Sequence, residues 1–336
     1  MLGHILLTAV NAVAPIILLI ALGYFLRQIK FLTDEFIKIG NKLVFNICIP
    51  VMLFVNVYDV ESITDIRWDV VLYCLVIVTL LFGLGWLQGK VLTNDPRRRG
   101  VLWQSAFRSN FAIIGLPLAQ TLGGAQGAAV AAVLSAFAIP AFNIYGVIAL
   151  SAYTGKKKGA GEMLKSIAKN PLMIGVGAGL LVLLVRAGQL AMFDSVVYSV
   201  ERDTHFLYTV LSNLKSLTTP LSLIVLGAQC EFSAAKGMLK EIVTAVSTRI
   251  VFAPVIAILG MVALSGAGIL SCGNGEYAAT IALFGSPVAV SSAIMATNMD
   301  NDGQLATQAV VWSSLLSVAT LFLSVCILMA TGVLVL

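Results

Sequence analysis

An unusual vocabulary interrupts the apolar run from Ser109 to Gln120. Asn110, Gly115 and Pro117 stand where leucine or valine would fill a buried helix, and Arg108 lies just before them. A second apolar run carries Ser286, Pro287, Ser291 and Ser292. Proline removes a backbone donor and clashes with the carbonyl four residues back, and a glycine two positions earlier weakens the same turn. In hydrocarbon, freed backbone groups are costly unless they face protein or a polar cavity. The spacing therefore predicts two helices broken at Pro117 and Pro287, whose N-terminal ends offer N–H donors and partial positive charge to an anion such as a carboxylate. Pro kinks that only shape packing are the plainer reading of either proline alone.

Arg108, Lys215 and Arg249 fall at apparent membrane depth, while no Asp or Glu lies comparably deep. Intramembrane charge is expensive and points to function, so the missing counter-ion is a candidate substrate anion. Snorkelling to the interface is the alternative, and it suits Lys215 and Arg249 better than Arg108. Asn41 and Asn46, ahead of Pro50, either line the cavity or bond across helices.

The elements that must position these residues are membrane helices. Of the residues, 59% are hydrophobic and only 11% charged, with a mean hydropathy of +0.97, far outside the range of soluble domains. A spanning helix needs about 20 mainly apolar residues. Ten such stretches occur, near 5–26, 36–57, 70–90, 100–121, 126–152, 170–187, 205–228, 239–265, 275–297 and 304–333. The first reads as a true span, because no basic segment precedes it. Loops after odd-numbered spans hold Arg27, Lys30, Arg97, Arg98, Arg99, Lys156, Lys157, Lys158, Lys165, Lys169 and Lys236; the opposite loops hold Arg67, Arg186 and Arg202. By the positive-inside rule the former are cytoplasmic and both termini lie outside, in a multi-pass protein of the cell membrane. The net charge of +5 then needs no nucleic-acid partner.

Several classes are excluded. Cys48, Cys74, Cys230, Cys272 and Cys326 are scattered singly, and His4 and His205 lie far apart, so neither a disulfide framework nor a metal site is indicated. No nucleotide motif appears, which argues against ATP-driven transport by this chain alone. No cofactor is expected. Without a Ser/His, Asp/Asp or His/Glu constellation at depth, an enzyme is not expected either.

An internal repeat organises the spans. Pro50 and Pro220, each followed by an apolar run, are 170 residues apart, and so are Pro117 and Pro287. Five spans followed by five place the halves, residues 1–154 and 155–336, in opposite orientations, the inverted-repeat plan of secondary transporters. The fold class is thus all-α and polytopic. Gly175 and Gly179 have the small-xxx-small spacing of close helix packing.

With these segments in view, the chain resembles the auxin efflux carrier family, whose bacterial members are described as malonate, malate or related organic-acid permeases. The matching segments include "NKLVFNICIPVMLF", "SNFAIIGLPLAQTLGG", "KNPLMIGVGAG", "TPLSLIVLGAQ" and "SPVAVSSAIMATNMDNDGQLATQAVVWSSLLSVAT", in that order. The resemblance implies a fold similar to bile-acid symporters and sodium/proton antiporters, with the fourth and ninth helices crossing at their proline breaks. It implies a scaffold of spans 1, 2, 6 and 7, a mobile transport domain of spans 3 to 5 and 8 to 10, and a homodimer formed through the scaffold. By the same analogy Asn110, Pro117 and Pro287 lie near the substrate carboxylate. The short loop near 153–169 and the ninth-span sequence "SPVAVSS" depart from the plant exporters and point to a prokaryote-like permease rather than an indole-3-acetate carrier.

The expectation is a secondary carrier for small organic anions by alternating access. Its binding residues are Arg108, Asn110, Gly115, Pro117, Ser286, Pro287, Ser291, Ser292, Asn46 and Lys215. A sodium- or proton-coupled symporter of bile-acid type and a non-transporting membrane sensor are the rivals.

Overall fold

A computed structural model of the chain describes residues 2–58, 67–153, 169, 171–230 and 232–334. Lys156, Lys157, Lys158 and Lys165 of the expected cytoplasmic loop lie outside the described residues. The described chain is helical, and the extended backbone forms one isolated bridge. Seven described helical stretches are long and apolar enough to cross a membrane: Asp34–Val55, Trp68–Leu92, Phe111–Ser151, Pro171–Phe193, His205–Gln229, Ala235–Gly266 and Gly303–Ala330.

In chain order the helices are α1 (Leu2–Gln28), α2 (Asp34–Leu43), α3 (Ile49–Tyr58), α4 (Trp68–Leu92), α5 (Pro96–Phe107), α6 (Leu116–Ser151) and α7 (Pro171–Phe193). They continue with α8 (Val200–Asp203), α9 (His205–Gln229), α10 (Leu239–Ser247), α11 (Ala253–Gly266), α12 (Asn274–Gly285), α13 (Val290–Asn298) and α14 (Gly303–Ala330). Starts are set by side-chain caps, which satisfy N–H groups that have no partner within the helix. Thr33 Oγ1 accepts from the Phe36 N–H at 3.2 Å, Asp95 from Arg97 at 2.9 Å with Pro96 filling the first turn, and Asp302 from Leu305 at 2.9 Å.

Three π-turns, Val44–Cys48, Phe111–Gly115 and Thr248–Phe252, each stand immediately before a proline at a fixed spacing: Pro50, Pro117 and Pro254. The widened turn makes room for the proline ring where the regular ladder would clash. Consequently Pro117 does not break its helix. It sits in the first turn of α6, and the break lies upstream, at Arg108–Asn110. The real kink in α6 is Gly124, at φ 58° and ψ −147°, a conformation that essentially only glycine tolerates. That kink lies between the expected fourth and fifth spans.

Packing divides into two cores. One gathers apolar side chains from α1 to α3, α9, α10, α13 and α14, including Phe45, Ile49, Leu223 and Leu226. The other gathers α4, α5, α6, α11 and α12, including Leu81, Phe107, Phe111 and Phe284. Extensive pairings run between α6 and α12, α3 and α7, α4 and α5, and α1 and α9. Gly175 lets α7 lie directly on α3, because a Cβ there would fall inside the carbonyl of Pro50. Gly175→Val should therefore force these helices apart, costing about 1–3 kcal/mol by overpacking. A lowered thermal midpoint of the detergent-purified protein is the readout.

Candidate functional site

The site is built where two interrupted helices cross. α5 ends at Phe107 and α12 at Gly285; the chain then runs extended through Arg108–Asn110 and Ser286–Ala289 before the helix resumes in each strand of the crossing. Ser109 lies antiparallel to Val288. The Asn110 N–H donates to the Pro287 carbonyl at 2.8 Å, and the Ala289 N–H to the Arg108 carbonyl at 3.2 Å. Each break thus satisfies part of the other's backbone, as burial in an apolar setting demands. The Pro287 carbonyl is thus paired with Asn110, well upstream of Pro117, so the two prolines do not meet at the crossing despite their shared offset of 170.

Two arginines serve the crossing in different ways. Arg249, fully buried at 0% exposure, reaches in from the π-turn between α10 and α11. Its Nε donates to the Ser286 carbonyl at 3.0 Å, Nη1 to Phe107 at 3.0 Å, and Nη2 to Leu283 at 3.0 Å and Phe284 at 2.7 Å. One cation therefore covers the carbonyl ends of both α5 and α12, where helix dipoles leave partial negative charge. It is bound to backbone and does not face the pocket.

Arg108 lies inside the pocket wall at 3% exposure. Its Nη2 donates to Asn143 Oδ1 at 2.8 Å and to Ser291 Oγ at 3.0 Å, and Nη1 points at the Met295 sulfur. All three of these partners are uncharged. Asn143 is fixed in turn by its own Nδ2, which donates to the Ile139 carbonyl at 2.7 Å. Asn110, 4% exposed, lines the same pocket, and its Nδ2 has no hydrogen-bond partner among the described residues. The cavity has a volume of about 50 Å³. That is room for roughly three or four waters or a group of similar size. Its opposite wall comes from α3, with Ile49, Met52 and Leu53, and from α9, with Thr218, Thr219 and Ser222.

The structure thus brings Arg108, Asn110 and Ser291 together and separates the other expected residues from them. Ser286 and Pro287 belong to the crossing backbone, with the Ser286 hydroxyl donating back to the Ala282 carbonyl at 2.6 Å. Ser292 is buried beside Gln104, whose Nε2 donates to its carbonyl at 2.9 Å. Gly115 supports the site indirectly. A Cβ there would strike the Phe111 ring and the Ala282 carbonyl, so glycine lets the π-turn approach α12. Pro117 stays within α6. Asn46 is corrected outright: it is exposed, its Nδ2 donates to the Lys42 carbonyl at 2.8 Å, and it lies away from the pocket wall. Lys215 is half-buried on α9, also outside that wall. Sequence reasoning missed Asn143 and the Thr218–Thr219–Ser222 edge; the two threonines directly before Pro220 were the available signal.

Ion pairs tie down the outer ends of the crossing helices. At the start of α5, Arg98 bonds Glu241 at 3.0 Å and Asp302 at 3.1 Å, joining α5 to α10 and α14. At the start of α12, the buried Glu276 receives Arg67 at 3.1 Å. The hydrogen bond to the Asp69 carboxylate raises the Arg67 pKa further above its ordinary value, so this cation persists at any physiological pH. Glu276→Gln should cost about 1–3 kcal/mol, the range for losing a charged hydrogen bond. A fall in thermal midpoint checks it.

Residues 8–163 match the model of a family described as membrane transport protein. The match covers just under half of the chain, and the family is the auxin efflux carrier-like group that the sequence motifs resemble. The match contains Arg108, Asn110 and Asn143 of the pocket. An uncharacterized transporter of Methanothermobacter thermautotrophicus is 23% identical over 94% of this chain and 97% of its own length. An uncharacterized transporter of Methanocaldococcus jannaschii is 26% identical over 67% of this chain and 70% of its own. The protein is accordingly a multi-pass membrane transporter, with its buried polar pocket at the helix crossing.

Proposed function

We propose that this transporter is a secondary carrier for small organic anions, carboxylates above all, working by alternating access at the crossing. One observation carries the reading: the pocket holds a guanidinium, Arg108, whose side-chain partners among the described residues are all neutral, beside a donor, Asn110 Nδ2, that has none there. A buried cation without a carboxylate is costly. An entering carboxylate supplies the missing charge and accepts from Asn110 and Ser291, a charge-assisted arrangement. Arg249 holds the carbonyl ends closed, leaving the donor-rich side of the crossing for the anion.

The same reading takes the chain as ten crossings in two inverted five-helix repeats, residues 1–154 and 155–336. The break at Arg108–Asn110 then lies within the fourth crossing, and the Gly124 kink divides the fourth from the fifth. Two observations support the repeat. Thr218 Oγ1 donates to the Cys48 carbonyl at 3.0 Å, a pair separated by the same 170 residues as Pro50 and Pro220. The reciprocal pair of backbone bonds at the crossing has the form expected around a local two-fold axis. The linkage of Arg98 to Glu241 and Asp302 sets three of the expected cytoplasmic ends side by side, and Arg67 with Glu276 does so at the expected outer face. Spans 1, 2, 6 and 7 then form a scaffold and dimer surface against which spans 3 to 5 and 8 to 10 move. The pocket, lined by both groups, is where such motion would change access.

Proteoliposomes containing only this protein test the proposal. Accumulation of a labelled dicarboxylate or monocarboxylate above that of empty vesicles is expected. Flux confined to neutral or cationic solutes would refute the anion reading. Strict dependence on sodium would assign a bile-acid-type symport mechanism.

A further inference from the structure

A groove of about 430 Å³ runs between α10 with its following π-turn and α14, away from the crossing pocket. Leu239, Val243, Val246, Ile250, Trp312 and Leu316 line it. The polar groups in its wall are satisfied within the protein: Trp312 Nε1 donates to Gln308 Oε1 at 3.0 Å, Ser247 Oγ to the Thr244 carbonyl at 3.2 Å, and Thr320 Oγ1 to the Ser317 carbonyl at 3.3 Å. The groove therefore offers its occupant hydrocarbon alone. From Leu239 to Val251 its floor rises roughly 18 Å at the α-helical pitch, somewhat more than half of a hydrocarbon core.

Its lower end is basic. Ala235 and Leu239, which line that end, are followed directly by the exposed Lys236 and Lys240. The adjacent acid, Glu241, is taken by Arg98 at 3.0 Å. Among the described residues no ion pair involves either lysine. We infer that the groove seats one acyl chain of an anionic phospholipid, with the headgroup phosphate held at Lys236 and Lys240. The chain would pack against Ile250 and Val251, the neighbours of Arg249 in the same π-turn. Lipid occupancy thereby supports the turn that covers the carbonyl ends of the crossing helices.

Native mass spectrometry of the detergent-purified protein tests this with a phosphatidylglycerol and a phosphatidylcholine of identical chains. Two lysines at a membrane surface predict retention of the anionic lipid on the order of tenfold over the zwitterionic one. Substituting Lys236→Gln and Lys240→Gln together should bring the two lipids near parity. Ala319→Trp, which fills the groove, should remove both. Unchanged phosphatidylglycerol retention in the lysine variant would overturn the proposal, and these surface changes leave the fold intact if the tryptophan does not. A protein dimer abolished by Ala319→Trp, with no retained lipid, would give the groove to a second copy instead and equally overturn it.

Discussion

Arg249→Met is expected to cause a large loss of stability. The side chain is fully buried, and its three nitrogens bond four carbonyls at the ends of two helices that do not follow each other in sequence. Methionine fills similar space but leaves those acceptors facing each other in a dry interior. Each buried group left without a partner costs about 1–3 kcal/mol, and relaxation recovers part of the sum. A net loss on the order of 3–5 kcal/mol follows, comparable to breaking a buried ion pair. Lysine keeps the charge but cannot reproduce the planar fork, so Arg249→Lys should fall between the two. Thermal midpoints of the three proteins in one detergent give the order. A methionine variant as stable as the parent would show that the crossing is held by something else.

Arg108→Gln should instead leave the fold standing and remove anion affinity. Glutamine can keep an amide donor near Asn143 and Ser291, and no helix end depends on Arg108's guanidinium. What disappears is the charge. Deleting one member of a buried, hydrogen-bonded charge pair costs about 2–4 kcal/mol, roughly 30- to 1000-fold in affinity. Arg108→Lys should lose less, because a point charge remains where the bidentate fork is lost. Equilibrium binding of a labelled carboxylate, measured beside an unchanged thermal midpoint, separates this from simple misfolding. Equal affinity in parent and glutamine variant would take Arg108 out of the site.

The contrast between these arginines shows what the sequence could and could not convey. Composition and apolar run length announce membrane helices, and the lack of deep acids marks Arg108 and Arg249 as unusual. Depth alone does not reveal whether a cation's partner is a substrate or a carbonyl. Only the three-dimensional return of Phe107 and Ser286 to one point assigns Arg249 to the backbone. Pro117 misleads for a local reason: the π-turn before it absorbs the steric clash, and the extended break falls instead at Arg108–Asn110. The prolines at the shared offset of 170 do not meet at the crossing, where Asn110 pairs with Pro287 and Arg108 with Ala289. Asn46 faces outward because helical phase, not proximity to Pro50, decides which side of the helix lines the cavity. Asn143 was out of reach because the sequence could not show that α6 folds back beside its own broken start.

The most direct test of the central claim is ligand stabilisation. A compound that binds only the folded state must raise the apparent stability, with a dependence on concentration that reports its affinity. Purified protein should be heated with a panel of mono- and dicarboxylates, with neutral and cationic compounds of similar size as controls, and the series repeated with Asn110→Ala. The account predicts a saturable rise in thermal midpoint with at least one carboxylate, reduced in the alanine variant and absent with the controls. Stabilisation by a neutral or cationic compound, with every carboxylate without effect, would contradict it.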